Sequence, residues 1–329
     1  MSEMSNPLKV LYLPHPVEEI NVEWGENLVT ALRDRFDLRV FDRDQDPADQ
    51  FKGREALVDL GGNISGELVD VAANAGIKFI QVQTNGLDHV EVGKILKSGM
   101  MLAHCPGVLS SVALAESAMM FVLMLSRRYG EGVQNFFKGK YYFPQGMELE
   151  GRRLGIVGFG ASGQDLARRA KPFGMRILAI DVRPIEQEVL DEIQPDFLGN
   201  SNDLDHVVAE SDFLSVHLHL TDKTRHILDA RRIGLMKSTA CLINVARGEL
   251  VDEEALYQAL LEERIAGAGL DVFADEPPQT NRPVYQLPNV CVSPHVAGGT
   301  DGTSRKRAMF AADNLGRFAR GENVLARVE

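Results

Sequence analysis

The chain has 329 residues and carries 35 Lys and Arg against 47 Asp and Glu, a net charge of −12, with 44% hydrophobic and 25% charged residues. That length predicts about two domains with room for a sizeable core, and the composition excludes disordered, coiled-coil and collagen-like chains. The acidic balance, with no stretch that concentrates positive charge, argues against a nucleic-acid partner. Glycine alone stands out: 30 residues, about 9% against a background of about 7%, raise the question of where the backbone turns tightly or approaches a ligand.

The three cysteines, Cys105, Cys241 and Cys291, are odd in number and far apart. They fit neither a disulfide framework nor a Cys-x-x-Cys metal site and suit a reducing compartment. The most apolar stretch, 118–125, falls far short of the ~20 residues a membrane span needs. MSEMSNPLKV has an acid at Glu3 and no long apolar core, so no signal peptide is expected. The reading is a cytoplasmic protein with no membrane partner.

Along the chain, short β-type runs alternate with amphipathic stretches, the pattern of an α/β fold whose parallel sheet is covered by helices. In the first third the runs fall at 10–13, 38–41, 57–60, 79–82 and 100–104, with helices expected near 27–35, 67–75 and 92–97. Cys105-Pro106-Gly107 then breaks the chain. From 110 to 128 the apolar residues continue too long for a strand and predict one helix, with Glu116 near its start and Arg127 and Arg128 at its end, as its dipole favours. The stretch 135–151 has no clean period and reads as a loop. A second α/β unit follows, with strands at 153–157, 176–180, 213–218, 240–245, 268–272 and 290–293 and helices near 164–172, 204–210, 231–236 and 253–263. A last helix is expected over 303–320, ending at Gly321.

The glycine-rich turn Gly158-Phe159-Gly160-Ala161-Ser162-Gly163 follows the run at 153–157 and opens a helix. In that setting the first glycine allows the tight turn, the second lets backbone N–H groups approach a pyrophosphate, and the third lets helix pack on strand. Asp181, about twenty residues on at the end of the next strand, would accept hydrogen bonds from a ribose 2′-hydroxyl and repel a 2′-phosphate, so NAD is favoured over NADP. Arg183 keeps the NADP option open.

Three further strand ends carry chemistry: NVARGELVD with Arg247, LDVFADEP with Glu276, and VSPH with His295. In an open parallel sheet the C-terminal strand ends share one edge, where ligands bind. A fixed Arg binds a carboxylate bidentately, a His exchanges a proton near neutral pH, and an adjacent Glu orients the imidazole and favours its charged form.

Taken together, GFGASG, Asp181, HLHLT with Thr224, NVARGELVD, GLDVFADEP and SPHVAGGT resemble the D-isomer-specific 2-hydroxyacid dehydrogenase family over nearly the whole chain. The resemblance implies a Rossmann-type doubly wound NAD-binding domain, 108–294, inserted into a smaller flavodoxin-like α/β substrate domain, 1–107 plus 295–329. It implies Arg247 as binder of the substrate carboxylate, Glu276 as partner of the catalytic His, and His295 as general acid/base at a hinge beside a cleft. It further implies that backbone N–H groups at Asn85 and Gly86 help hold the carboxylate and that Asp271 contacts the nicotinamide amide. Gly158, Gly160, Ala161, Ser162, Gly163, Asp181, Thr224, Val245, Ala246, Arg247, Asp271 and His295 would line the dinucleotide. The implied reaction moves a hydride between NAD(H) and C2 of a small D-2-hydroxy acid or 2-keto acid, in a homodimer.

Two positions depart from the family pattern: His219 stands where proline is usual, and Ser162 where an aliphatic residue is common. His217 and His219 alternate along a strand, but two ligands without a third rarely hold a metal, so none is expected. A structural salt bridge is the bland alternative for Arg247 and Glu276, weakened by the place of both at strand ends. The loop 60–66 carries no cation for a phosphate. The preferred substrates are therefore glyoxylate, hydroxypyruvate or a D-lactate-like acid rather than phosphoglycerate. Formate is disfavoured, because that branch of the family has glutamine in place of Glu276. The competing class is an NAD(H)-sensing corepressor-like binding protein on the same scaffold.

Overall fold

The computed structural model describes residues 7–61 and 64–329; Gly62 and Asn63 of the cation-free loop lie outside the described residues. The chain divides into two compact units, one running to Leu109 and completed by Gly299–Glu329, the other formed by Ser110–Gly298.

In the first unit, strands β1 (Lys9–Leu13), β2 (Asp37–Val40), β3 (Ala56–Asp59), β4 (Phe79–Val82) and β5 (Met101–Ala103) lie in the order β2-β1-β3-β4-β5, every pair parallel. β3 and β4 read ALVD and FIQV and are buried along their whole length, as strands covered on both faces must be. The last helix, Asp301–Ala319, returns to this unit and sets Ala308, Ala311, Ala312 and Leu315 into one of its two core clusters beside Leu28, Leu32 and Phe79. From the same helix Arg307 donates to the carbonyl of Gln83 at 2.9 Å, just before Asn85 and Gly86.

The second unit holds β6 (Arg153–Val157), β7 (Arg176–Ile180), β8 (Phe197–Gly199), β9 (Phe213–Val216), β10 (Cys241–Asn244), β11 (Gly267–Leu270) and β12 (Val290–Val292) in the order β12-β11-β10-β9-β6-β7-β8. All pairs are parallel, and the chain's direction of travel across the sheet reverses between β6 and β9. This is the doubly wound order, whose switch point is where a ligand enters. The long helix Ser111–Ser126 is apolar nearly all round; half of its residues are buried, while Met120 stays exposed. Its Phe121 lies against β11, where a Cβ on Gly269 would stand 2.6 Å from the ring. In the strand GAGL the ring takes the space of a Gly269 side chain, and the Asn289 carbonyl, 2.7 Å from a Cβ position, takes that of Gly267.

Several expectations are corrected by the structure. A helix, Tyr129–Phe137, occupies the start of the expected loop at 135–151; its glycines and aromatics hide the period. Helix Gln187–Ile193 and strand β8 fill a stretch where no element is predicted, because a three-residue edge strand and a helix of seven residues are too short to show a clear period. β9 stops at Val216, so His217 stands in the connection beyond the strand. Just before the end of the second unit, the Asp271 carboxylate accepts from the N–H groups of Val296 and Ala297 at 2.9 Å each and holds the post-strand turn to its own sheet.

Phe121 is 1% exposed, and Phe121→Ala should cost about 3–5 kcal/mol. Denaturant unfolding should show it as a lower midpoint with an unchanged slope.

Candidate active site

The Gly-rich turn begins where β6 ends. Gly158 adopts φ +100°, and a Cβ there would come within 2.5 Å of the carbonyl oxygen of His217, just beyond the end of the neighbouring strand β9. Only glycine lets the two strand ends approach so closely at the switch point. A Cβ on Gly163 would reach 2.3 Å from the Gly158 carbonyl, so the helix Ala161–Ala170 also starts against the turn itself. At Gly160, by contrast, only the Arg183 guanidinium lies near the position of a Cβ, at 3.2 Å. No side chain caps this helix. The first N–H groups of a helix have no intrahelical partner, and here they face an open approach suited to an anion. These residues fit the pyrophosphate of a dinucleotide.

Asp181 follows β7 directly. Arg183 folds back on it, its Nε 3.1 Å from Oδ1, its Nη2 3.2 Å from Oδ2 and its backbone N 2.9 Å from Oδ1. Burial acts to raise the Asp181 pKa, but the hydrogen bonds and charge of Arg183 outweigh it and hold the carboxyl below its ordinary value. Thr224 clamps the turn after β9, accepting from Thr221 N at 2.8 Å and donating to the His219 carbonyl at 2.7 Å.

On the other side of the switch point, Asn244 ends β10 and braces the turn that follows: its Nδ2 donates to the Arg247 carbonyl at 2.7 Å and its Oδ1 accepts from Ala246 N at 3.1 Å. Val245 is buried and Ala246 and Arg247 are half-buried. A Cβ on Gly248 would stand 1.9 Å from the carbonyl carbon of Phe273. The missing side chain lets the backbone beside Arg247 lie directly on the turn that carries Glu276. In that turn Phe273 N donates to Glu276 Oε1 at 3.1 Å, while Glu276 Oε2 faces His295 Nδ1 at 2.6 Å. Arg247, Glu276 and His295 thus belong to one unit and one sheet edge, and the Arg247 charge is felt at Glu276.

His295 itself has φ +53°, a conformation that a non-glycine residue adopts only when its surroundings impose it. Its N–H donates to the Asp271 carbonyl at 2.8 Å, and the Asp271 side chain accepts from Ser293 Oγ at 2.5 Å and from Val296 and Ala297. Sequence reasoning missed this anchoring by Asp271, as it missed Asn244 and the contact made by Gly248. The usable signal was an Asp or Asn as the last or next residue of a predicted strand. Asn85 and Gly86 belong to the first unit, in a turn closed by Thr84 Oγ1 donating to the Gly86 carbonyl at 2.8 Å. The ring nitrogens of His217 face Ser215 and Ser162, and among the described residues no group of three His, Cys, Asp or Glu could hold a metal.

Residues 119–297, more than half of the chain, match the family described as D-isomer specific 2-hydroxyacid dehydrogenase, NAD binding domain. The glyoxylate reductase of Thermococcus onnurineus is 36% identical over 312 residues, covering 90% of this chain and 91% of that protein. Among solved structures, the TT0316 protein of Thermus thermophilus is 31% identical with a TM-score of 0.80, over 98% of this chain and 100% of that one. The D-lactate dehydrogenase of Aquifex aeolicus, solved with NAD and lactic acid, is 28% identical with a TM-score of 0.78, over 95% of this chain and 96% of that one. A doubly wound sheet with a Gly-rich turn at its switch point fits a dinucleotide, and the family match and the relatives make the chain an NAD(P)-dependent oxidoreductase. The chain belongs to the D-isomer-specific 2-hydroxyacid dehydrogenase family.

Burial acts to raise the Glu276 pKa, but the hydrogen bond and charge of His295, the Phe273 N–H and the Arg247 charge hold it below the ordinary value. With the folded-state pKa below the unfolded one, the stability this carboxylate contributes is present above the ordinary glutamate pKa and is lost as pH falls through the depressed value. Unfolding free energies of the native protein and Glu276→Gln should differ near neutral pH and converge in acid. A gap that stays constant into acid would assign the difference to packing.

Proposed function

We propose that the enzyme reduces a small unphosphorylated 2-keto acid, with glyoxylate, hydroxypyruvate and a D-lactate-like acid as the preferred class, and that NAD(H) is its usual cofactor. The observation that carries the reading is the 2.6 Å pair of Glu276 and His295, set on the same sheet edge as Arg247 and the Gly-rich turn. Its substrate range draws support from relatives named glyoxylate reductase at 34–37% identity. The preference for NAD rests on Asp181, whose carboxylate suits a ribose 2′-hydroxyl and opposes a 2′-phosphate.

In this reading the dinucleotide lies on Gly158, Gly160, Ala161, Ser162 and Gly163, with Asp181 at the adenosine end and Val245, Ala246 and Asp271 toward the nicotinamide. When bound, the nicotinamide gives or takes the hydride. Glu276 accepts the Nδ1 proton of His295, which leaves Nε2 as the atom that hands a proton to, or takes it from, the substrate oxygen. Arg247 binds the substrate carboxylate through its guanidinium fork. In the first unit, the backbone N–H groups of Asn85 and Gly86 are our proposal for further carboxylate donors.

We further propose a homodimer in a reducing, cytoplasmic setting. Support for the dimer comes from Phe136, Phe137, Tyr141, Tyr142 and Phe143, all exposed, with Phe137 at 81%, more apolar surface than a monomer normally shows at one place. Sedimentation should give twice the 36.3 kDa chain mass, and a monomer at micromolar concentration would refute the dimer. Among the described residues no helix is long and apolar enough to cross a membrane.

A panel of 2-keto acids with NADH and with NADPH tests the function directly. Turnover on at least one small acid, faster with NADH, is expected; NADH binding without turnover on any acid would favour the corepressor-like reading. His295→Ala should lower kcat at least about 10²-fold with NADH binding kept. Arg247→Gln should raise KM as well as lower kcat, and an unchanged KM would remove Arg247 from the carboxylate site.

A further inference from the structure

The Gly-rich turn carries a hydroxyl, that of Ser162, and the structure supplies a hydrogen-bond chain behind it. Ser162 is the second residue of the helix Ala161–Ala170 and is partly exposed. Its Oγ lies 3.0 Å from His217 Nδ1, and His217 Nε2 lies 2.9 Å from the Oγ of Ser215 on β9, which is fully buried. Among the described residues these are the only hydrogen-bond partners of the two hydroxyls.

Proton counting then sets the direction of the chain. A buried hydroxyl whose proton finds no acceptor keeps the full cost of its desolvation. The sole acceptor offered to the Ser215 proton is Nε2, so Ser215 donates and Nε2 carries no proton. Burial keeps the imidazole neutral, pushing the His217 pKa down to about 4, and a neutral imidazole has one N–H. That hydrogen therefore sits on Nδ1 and is donated to Ser162 Oγ. The Ser162 oxygen is filled from behind, and its own O–H is left to point out of the chain, beside the first N–H groups of the helix. With the opposite tautomer, Ser162 would turn its proton inward and present lone pairs to an approaching phosphate.

We propose that Ser162 is a phosphate-binding donor for the dinucleotide and that Ser215 and His217 are positioning residues that aim its hydroxyl outward. The geometry gives this role to a side chain at a place in the turn where backbone N–H groups and the helix terminus would otherwise act alone. It rests on the turn binding a dinucleotide, and the test separates the two claims.

Calorimetric titration of NADH and of ADP-ribose, which keeps the pyrophosphate and lacks the nicotinamide, would be run on the native protein, Ser162→Ala, Ser215→Ala and the double variant. Ser162→Ala should weaken both ligands about tenfold, the loss of one charge-assisted hydrogen bond. Ser215→Ala frees Nε2 to take the proton and should weaken both by a smaller factor. In the Ser162→Ala background the Ser215→Ala effect should vanish, which a general loss of packing would not produce, and Ser162→Thr should restore affinity. Native-like affinity in Ser162→Ala, or independent additive losses in the double variant, would overturn the proposal. If the native protein binds neither ligand, dinucleotide binding by the turn itself falls, and this proposal with it.

Discussion

The carboxylate of Asp271 has no exposed surface, and the placing of His295 depends on it. A buried charge is costly unless every lone pair is used, and here Ser293 Oγ and the N–H groups of Val296 and Ala297 converge on it while the Asp271 carbonyl takes the N–H of His295. Those bonds hold His295 at a positive φ and turn its ring toward Glu276. The His295 side chain is exposed; the group that fixes its backbone is not.

A second constraint acts through absent atoms. Gly158 lets β6 and the connection after β9 meet at the switch point, and Gly248 lets the backbone next to Arg247 lie on the turn that carries Glu276. Each would need a backbone shift to accept a methyl group. The parallel sheet brings four strand ends to one edge; these contacts bring their side chains to within interaction range. The same logic appears away from the site, where Gly269 gives its side-chain volume to Phe121.

Much of this was legible in the order of residues. The runs at 153–157, 176–180 and 79–82 coincide with β6, β7 and β4, because strands covered on both faces are mostly apolar. Elements at the surface were not legible: β8 and the helix Gln187–Ile193 bury too little to leave a pattern, and Tyr129–Phe137 mixes glycine with exposed aromatics. Arg183 could be read as a neighbour of Asp181, but not that it folds back to pair with its carboxylate. His217 read as one of two alternating strand histidines, whereas its ring joins Ser162 to Ser215.

The sequence by itself determined the fold class, the glycine turn, and the place of Arg247, Glu276 and His295 just beyond predicted strands, since hydrophobic period and residue type are local properties that survive without coordinates. The tertiary structure decided which donors meet Asp271, which nitrogen of His295 faces Glu276 and which hydroxyls bracket His217. Hydrogen bonds act over about 3 Å between residues that the chain separates by tens of positions, and only the folded backbone sets those distances.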